Sequence, residues 1–282
     1  SASSVICREC GYRETCPNCD VSMTYHKQKD PVLICHNCGK ISKPRISCPK
    51  CKSHYIKYIG IGTQRVEEDV LKAFPGARVL RADKDTTSKK HDFEQIYNKF
   101  KDHKADILIG TQMIGKGLHL PKVSLVGVIL ADIGLGIPDF RSQERTFQIL
   151  TQVAGRSGRA GKQGEVVIQT YEPENMAIQT AKNHDYHKFF EQEIKNRKAL
   201  NYPPFKKLVK LTYSDRSEKK CIEEMQKLEK SLKDKFEILS YPALITRING
   251  KYRYHILIKG ENPRPENIPN EWKIDVDPMS IN

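Results

Sequence analysis

The chain has 282 residues, with 48 Lys and Arg against 34 Asp and Glu, which gives a formal net charge of +14. This length accommodates one large domain, or two medium domains with a small one. No apolar run approaches the length of a membrane span and no signal peptide opens the sequence, so we expect a cytoplasmic protein that does not enter a membrane. The excess of positive charge favours a polyanionic partner, above all a nucleic acid.

Eight of the nine cysteines fall in four Cys-x-x-Cys pairs within the first 51 residues: Cys7/Cys10, Cys16/Cys19, Cys35/Cys38 and Cys48/Cys51. Each pair can present two thiolates from one tight turn, and two pairs complete a tetrahedral zinc site. A disulfide scaffold is the alternative, but such scaffolds are typical of secreted proteins. We therefore predict two zinc ions held in a reducing compartment.

The four pairs can combine into two sites in three ways. The second and third pairs enclose fifteen residues, within the usual zinc-ribbon spacing of roughly 15–20. This spacing favours a nested arrangement, in which the inner set is Cys16, Cys19, Cys35 and Cys38, and the outer set is Cys7, Cys10, Cys48 and Cys51. His26 and His36 are spare ligands, and we expect them to be bystanders because eight thiols already suffice.

From about residue 58 the patterns of strands and helices alternate. Phe93, Ile96, Tyr97 and Phe100 recur at the spacing of one helical face, and "SQERTFQILTQVAGR" predicts another helix. The apolar runs "ADILIG" and "SLVGVILAD" are typical of strands that are buried on both faces. The alternation predicts a parallel sheet wrapped by helices.

Two loops of this region carry candidate functional residues. In "ILIGTQMIGKG" the spacing of Gly110, Gly115 and Lys116 resembles a P-loop, but Gly117 stands where a P-loop needs Ser or Thr for magnesium. In "QVAGRSGR", Arg156 and Arg159 lie among glycines and suit bidentate contacts with phosphate oxygens. A flexible basic surface loop is the alternative for the second stretch.

The two loops carry a family resemblance. "TQVAGRSGR" resembles motif VI of superfamily 2 helicases, and "ILIGTQMIGKG" resembles their motif V. Together with "DFRSQERTFQ" and the four cysteine pairs, the sequence resembles the bacterial primosomal helicases that restart stalled replication forks. The resemblance covers essentially the whole chain.

The resemblance implies an α/β fold of three parts. A cysteine-rich double-zinc module at residues 1–57 precedes a RecA-like parallel-sheet lobe at residues 58–172, the second lobe of the helicase. A small α+β domain follows at residues 173–282. The first RecA-like lobe, which binds ATP and Mg²⁺, is expected upstream of residue 1, because the sequence holds no complete P-loop and no Asp-Glu dipeptide.

The resemblance also implies an activity and residue roles. The intact protein is expected to be an ATP-dependent 3′→5′ DNA helicase, and the chain alone is expected to be inactive. Motif V would contact the nucleic acid through Thr111, Gly115, Lys116 and Gly117. Motif VI would contact ATP through Gly155, Arg156 and Arg159, with the two arginines at the γ-phosphate, and Gln152 would position water or phosphate. Many members of the family have Asp-Phe or His-Phe before the proline where this chain has His119-Leu120-Pro121, so we assign no role to His119.

The implied partners are DNA at forks and at single-strand–duplex junctions, single-strand-binding protein and other primosome proteins. The implied location is the bacterial cytoplasm, in association with the nucleoid. A different class of function is a non-enzymatic zinc adaptor that binds DNA or proteins and retains a helicase-like lobe.

The last third predicts a strand at "KLVKLTY", an amphipathic helix through Ile222 and Leu232, and a final strand at "WKIDV". Asn249-Gly250 between β-rich flanks is a strong hairpin signal. Tyr252 and Tyr254 lie on the apolar face of an alternating stretch, and we expect both to pack in the core, with base stacking as the alternative. Cys221 is predicted to be a partly buried thiol.

Overall fold

The computed structural model describes the chain except for residues 1–3, 13, 20–22, 27–29, 36–37, 60–61, 84–85, 88–90, 112–113, 115–119, 121 and 156–163. Its residues divide into two compact units. The first unit comprises Gly60–Ile137 and Ser142–Phe190; the second comprises Ser3–Ile59, Pro138–Arg141 and Glu191–Asn282. The three-part division of the sequence stays a prediction, and the cysteine-rich segment shares one unit with the carboxy-terminal sheet.

The amino-terminal part of the second unit is built from five short strands: β1 (Ser4–Cys7), β2 (Thr24–His26), β3 (Val32–Ile34), β4 (Ile41–Ser42) and β5 (Ile56–Ile59). Strands β2, β3 and β4 form an antiparallel sheet. Strand β1 pairs with β5, also antiparallel. This last pairing brings the two ends of the cysteine-rich segment together.

The first unit alternates helices and strands: α1 (Thr63–Ala73), β6 (Val79–Ala82), α2 (Asp92–Lys101), β7 (Ile107–Gly110), β8 (Leu125–Val128), α3 (Asp132–Leu135), α4 (Ser142–Ala154), β9 (Glu165–Ile168) and α5 (Met176–Lys182). Helix α6 (Tyr186–Ala199) follows. Strands β6 and β7 pair in parallel, and so do β8 and β9. The predicted α/β lobe with parallel strands is confirmed.

Helices cover one face of the β8–β9 pair. Phe147 of α4 and Phe189 of α6 stack with their ring centroids 4.2 Å apart, in a cluster against which Val128 and Ile168 pack. Exposure alternates along β8, and Leu125 is 58% exposed. The expectation that this strand is buried on both faces is therefore wrong, since within the described residues its apolar packing is with helices on one side.

The carboxy-terminal part of the second unit is an antiparallel sheet with one long helix. Its elements are β10 (Lys207–Asp215), α7 (Glu218–Leu232), β11 (Glu237–Ile248), β12 (Lys251–Gly260) and β13 (Lys273–Val276), and the strand order is β11-β12-β10-β13. The hydroxyl of Ser217 caps α7 by accepting from the backbone N–H of Lys220. Each of these elements was predicted from the sequence.

Both faces of β12 are covered. Tyr254 and Ile256 pack under α7 with Leu228, while Leu257 faces the other way against Leu208. Tyr254 lies in this core and the partly buried Tyr252 packs against it, so the packing interpretation holds for both tyrosines.

The prediction that Cys221 is only partly buried is wrong, because α7 lays this residue against the sheet. The exposed fraction of Cys221 is 0%. Its sulfur lies 3.6 Å from the carbonyl oxygen of Tyr252.

Candidate functional site

The eight paired cysteines assemble into two groups of four sulfurs. The outer set is Cys7, Cys10, Cys48 and Cys51, the inner set is Cys16, Cys19, Cys35 and Cys38, and within each set the sulfurs lie within 4.8 Å of one another. This is the nested grouping that the spacing favoured. It arises because β1 pairs with β5, which carries the first and last pairs to the same end of the segment.

The Cys-x-x-Cys turns share a backbone geometry. Three of them end in a residue with positive φ: Gly11 at 71°, Gly39 at 72° and Lys52 at 62°. In each turn the N–H of that residue donates to the carbonyl oxygen of the first cysteine, at 2.8 to 3.0 Å. The left-handed backbone favours glycine, which explains the Cys-x-x-Cys-Gly pattern of the first and third pairs. This signal was available in the sequence.

The spacing of the sulfurs fits a tetrahedral metal ion. The distance from the sulfur of Cys7 to that of Cys51 is 3.5 Å, and the distance from Cys16 to Cys38 is 3.6 Å. Four sulfurs placed about 2.3 Å from a central zinc ion are separated by about 3.8 Å. A disulfide would need a sulfur–sulfur distance of about 2.0 Å, and all nine cysteines are free. Both sets therefore fit zinc and do not form disulfides.

The inner set combines a deeply buried thiol with one that is readily ionised. Burial raises the pKa of the Cys19 thiol to about 12. The backbone N–H of Lys40 lowers the pKa of Cys38 to about 7, because it donates to the thiolate. Metal binding by this set must therefore displace protons, above all from Cys19. The spare imidazoles, those of His26 and His36, lie outside the described side chains.

The motif V loop begins at the carboxyl end of β7, where α/β proteins place binding residues. Thr111 directly follows this strand and is exposed. Gly115, Lys116 and Gly117 lie outside the described residues, so their predicted role stays a prediction. Gly110 has a steric reason that the sequence interpretation missed, because a Cβ atom there would lie 2.6 Å from the carbonyl oxygen of Ala82.

The motif VI segment begins on the last turns of α4. Gln152 is exposed on this helix, and Gly155 is exposed directly after its last residue. Arg156 and Arg159 lie outside the described residues. Their predicted roles therefore also stay predictions.

Two carboxylates that the sequence interpretation did not single out hold the loops after β6 and β8. Asp83 accepts hydrogen bonds from the side chains of Thr63 and Thr86; although burial alone would raise its pKa, these bonds lower it. Asp132 accepts from the hydroxyl of Thr170 at 2.6 Å and from the N–H of Tyr171 at 3.0 Å, and the Thr170 bond lowers its pKa. Both carboxylates anchor loops at the ends of strands.

Family models match three segments of the chain. The PriA DNA helicase Cys-rich region domain matches residues 16–43, the helicase conserved C-terminal domain matches residues 52–161, and the primosomal protein N C-terminal domain matches residues 198–279. The first segment holds the inner set, the second holds strands β6, β7 and β8, and the third holds the carboxy-terminal sheet.

Curated relatives match nearly the whole chain. The chain is 48% identical over 263 residues to the replication restart protein PriA of Bacillus subtilis, covering 92% of the chain and 32% of that protein. It is 42% identical over 297 residues to the protein of the same name from Synechocystis, covering 98% of the chain and 36% of that protein. The chain belongs to the PriA family.

The chain spans about a third of the length of these PriA relatives. The PriA Cys-rich region model covers all four cysteines of the inner set, whereas the outer set lies on both sides of it. Across the described part of the chain, no helix is both long and apolar enough to cross a membrane.

Proposed function

We propose that these 282 residues are the zinc module, the second motor lobe and the carboxy-terminal domain of an ATP-dependent 3′→5′ DNA helicase that restarts replication at stalled forks. The observation that carries the proposal is the match of residues 52–161 to the helicase conserved C-terminal domain, in one chain with two PriA domains. The curated relatives are named replication restart proteins. Parallel strands with exposed residues at their carboxyl ends suit a motor lobe.

Each cysteine set holds one zinc ion in this proposal. Four thiolates fill all the positions of a tetrahedral zinc ion, which leaves no open position for substrate or water. The two ions are therefore structural, and they add to the stability of the small buried cluster that this segment builds around Met23 and Leu33.

The motif V loop contacts the DNA backbone in this proposal. Thr111 is exposed at the end of β7, where its hydroxyl can donate to a phosphate oxygen. Gly115 and Gly117 allow the backbone to approach closely, and Lys116 adds a positive charge. Contacts of this kind position the protein without reading the base sequence.

The motif VI residues act on ATP. Bound Mg²⁺–ATP supplies the phosphoryl group that is transferred to water. Arg156 and Arg159 stabilise the negative charge that develops on the γ-phosphate, Gly155 lets the backbone approach, and Gln152 orients the water or the phosphate. The P-loop and the acidic residues for magnesium are not among these 282 residues, so the chain alone lacks half of the ATP site.

The proposed partners are forked DNA and single-strand–duplex junctions, single-strand-binding protein and other primosome proteins. The proposed location is the bacterial cytoplasm, in association with the nucleoid. The net charge of +14 supports a polyanionic partner.

The purified chain tests this proposal through two activities. We expect it to bind DNA and to hydrolyse no ATP. Thr111→Ala should weaken binding about equally on unrelated DNA sequences, whereas Ser124→Ala, an exposed hydroxyl just before β8, should leave binding unchanged. ATP hydrolysis by the chain that Lys116→Ala abolishes would show that the loop is a nucleotide site and that the proposal is wrong.

A further inference from the structure

The tip of the carboxy-terminal hairpin lies beside the inner cysteine set. Asn249 and Gly250 join β11 to β12, and both have positive φ, 53° and 75°. Two consecutive left-handed residues are the requirement of a type I′ turn, which suits a two-residue hairpin. The turn and the inner set belong to the same compact unit.

Three contacts tie the turn to the inner set. The backbone N–H of Asn249 donates to the sulfur of Cys19 at 3.4 Å, across 230 residues of sequence. The N–H of Gly250 donates to the carbonyl oxygen of Asn18 at 2.8 Å. The side chain of Ile248 packs against the buried cluster that contains Cys16, Cys19 and Cys35.

The turn brings positive electrostatic potential to a negatively charged site. Four thiolates around Zn²⁺ carry a net charge of −2, which each N–H dipole aimed at a sulfur stabilises. The backbone N–H of Asn18 donates to the sulfur of Cys16 at 3.4 Å from within the same Cys-x-x-Cys turn. The backbone N–H of Asn249 donates to the inner set from the distant hairpin.

We propose that the Asn249–Gly250 turn is a positioning element of the inner zinc site, which holds the Cys19 thiolate in place and couples zinc retention to the order of the carboxy-terminal hairpin. The inference rests on the proposed zinc binding. Groups that donate hydrogen bonds to metal ligands orient those ligands and slow the loss of the metal. In this way a metal site near one end of the chain stabilises a sheet near the other end.

The backbone conformation of Asn249 provides the test. Valine strongly disfavours positive φ, whereas glycine adopts it freely. Asn249→Val should therefore turn the N–H away from Cys19, and Asn249→Gly should keep it there. Asn267 is the matched control, since it is also an exposed asparagine with positive φ, 58°, in the same unit.

The measurement is the rate at which each cysteine becomes accessible after zinc is removed. The zinc-loaded chain is mixed with excess chelator, thiols are alkylated at timed intervals, and the alkylated peptides are mapped by mass spectrometry. In Asn249→Val we expect the inner cysteines to be alkylated on the order of 10-fold faster, and the outer cysteines at the parental rate. Asn249→Gly and Asn267→Val should match the parent at both sets.

Three outcomes would overturn the inference. The first is parental alkylation of the inner set in Asn249→Val, and the second is equal acceleration of both sets. The third is an Asn267→Val variant that accelerates the inner set as strongly as Asn249→Val does. If the parent chain binds no zinc at all, the proposed zinc function itself fails, so the two failures are distinguishable.

A second measurement needs no variant, which matters if Asn249→Val does not fold. Coupling between two sites is reciprocal. Removal of zinc from the parent chain should therefore speed hydrogen exchange at the amides of Asn249 and Gly250, while amides of β10 in the middle of the same sheet stay protected. Unchanged exchange at the two turn amides would contradict the coupling.

Discussion

At the scale of single residues, Gly110 illustrates how the packing of two strands restricts one position. A Cβ atom at this position would lie 2.6 Å from the backbone oxygen of Ala82 and 2.9 Å from the side chain of Ile114. The backbone oxygen belongs to the neighbouring strand β6 and cannot move without disturbing the pairing of β6 with β7. The stretch that resembles motif V therefore contains a residue that packing alone already requires to be glycine.

We predict that Gly110→Ala destabilises the first unit by roughly 1–3 kcal/mol, the usual cost of an overpacked site. The matched control is Gly127→Ala, because Gly127 also lies within a strand, β8, but a Cβ atom there meets no atom within 4 Å. Urea unfolding followed by hydrogen exchange at the amides of α4 measures the difference. Equal stability of the two variants would contradict the steric account.

His255 gives a prediction about pH. This histidine is buried on β12, its Nδ1 lies 2.9 Å from the hydroxyl of Thr212, and its pKa is lowered to about 4 by burial and by the charges of Lys210 and Arg253. An unfolded chain protonates the same imidazole near pH 6.5. Between pH 6.5 and pH 4 the unfolded chain therefore carries a proton on this imidazole that the folded chain does not. The stability that the neutral His255 contributes is full above pH 6.5 and falls as the pH drops towards 4.

We expect acidification from pH 7 to pH 4 to lower the free energy of unfolding through His255 by at most about 3 kcal/mol. His255→Gln should remove this part of the pH dependence, while replacement of the exposed His187 by Gln should leave it intact. Urea unfolding of the parent and both variants, compared at each pH across this range, is the measurement, since any loss of zinc on acidification is common to all three. A parent and a His255→Gln variant with parallel pH profiles would show that the buried imidazole is not the titrating group.

At the scale of elements, the cysteine sets give the most direct prediction. Cys16→Ser should lower the zinc content from two ions to one per chain, and Cys7→Ser should do the same at the other set, because the two sets share no cysteine. The double variant should bind none. Elemental analysis gives the content, and X-ray absorption should find four sulfur neighbours at about 2.3 Å. Loss of both ions from a single substitution would show that the sets are not independent.

We also expect the metal to determine whether the amino-terminal strands stay folded. Structural zinc contributes on the order of 10 kcal/mol to the folding of small modules, so chelation should expose the amides of β1 to β5 to exchange. The amides of α4, in the other compact unit, should keep their protection. Protected β1 to β5 amides in metal-free protein would contradict this role of zinc.

Local patterns determined most of the elements, and long-range contacts explain the rest. Helices α2 and α4 and the hairpin at Asn249-Gly250 follow from periodicity and turn chemistry, which act within a few residues. The exposure of Leu125 on β8 depends on which faces the helices cover, which no local pattern encodes. The hydrogen bond from Asn249 to Cys19 joins residues 230 positions apart. The sequence therefore predicted the turn but not its contact with the inner cysteine set.

The candidate site was predictable to the same extent. The nested cysteine sets followed from spacing, because a tetrahedral ion needs only two pairs at a suitable separation. The steric role of Gly110 did not, because it arises from the close approach of a neighbouring strand. The roles of Lys116, Arg156 and Arg159 rest on the family resemblance and stay predictions.

At the scale of the whole molecule, the net charge of +14 predicts how binding responds to salt. Neutralised phosphates release counterions, and a protein with 6–10 phosphate contacts loses roughly 10³–10⁵ in affinity between about 50 and 200 mM salt. We expect the affinity of the chain for DNA to fall at least about tenfold over this range. Fluorescence anisotropy with labelled DNA measures it, and an affinity independent of salt would rule out an electrostatic binding mode.

The central claim is that the chain holds half of an ATP-driven motor, and motif VI tests it most directly. In the intact protein that contains these residues, Arg159→Ala should leave ATP binding largely unchanged but lower DNA-stimulated ATP turnover by roughly 10³–10⁵, the range of an arginine that stabilises a phosphoryl-transfer transition state. Arg156→Ala should have a similar effect. The control is Arg264→Ala, at an exposed position far along the sequence. It should retain parental turnover at saturating DNA. Parental turnover in both Arg156→Ala and Arg159→Ala would contradict the account.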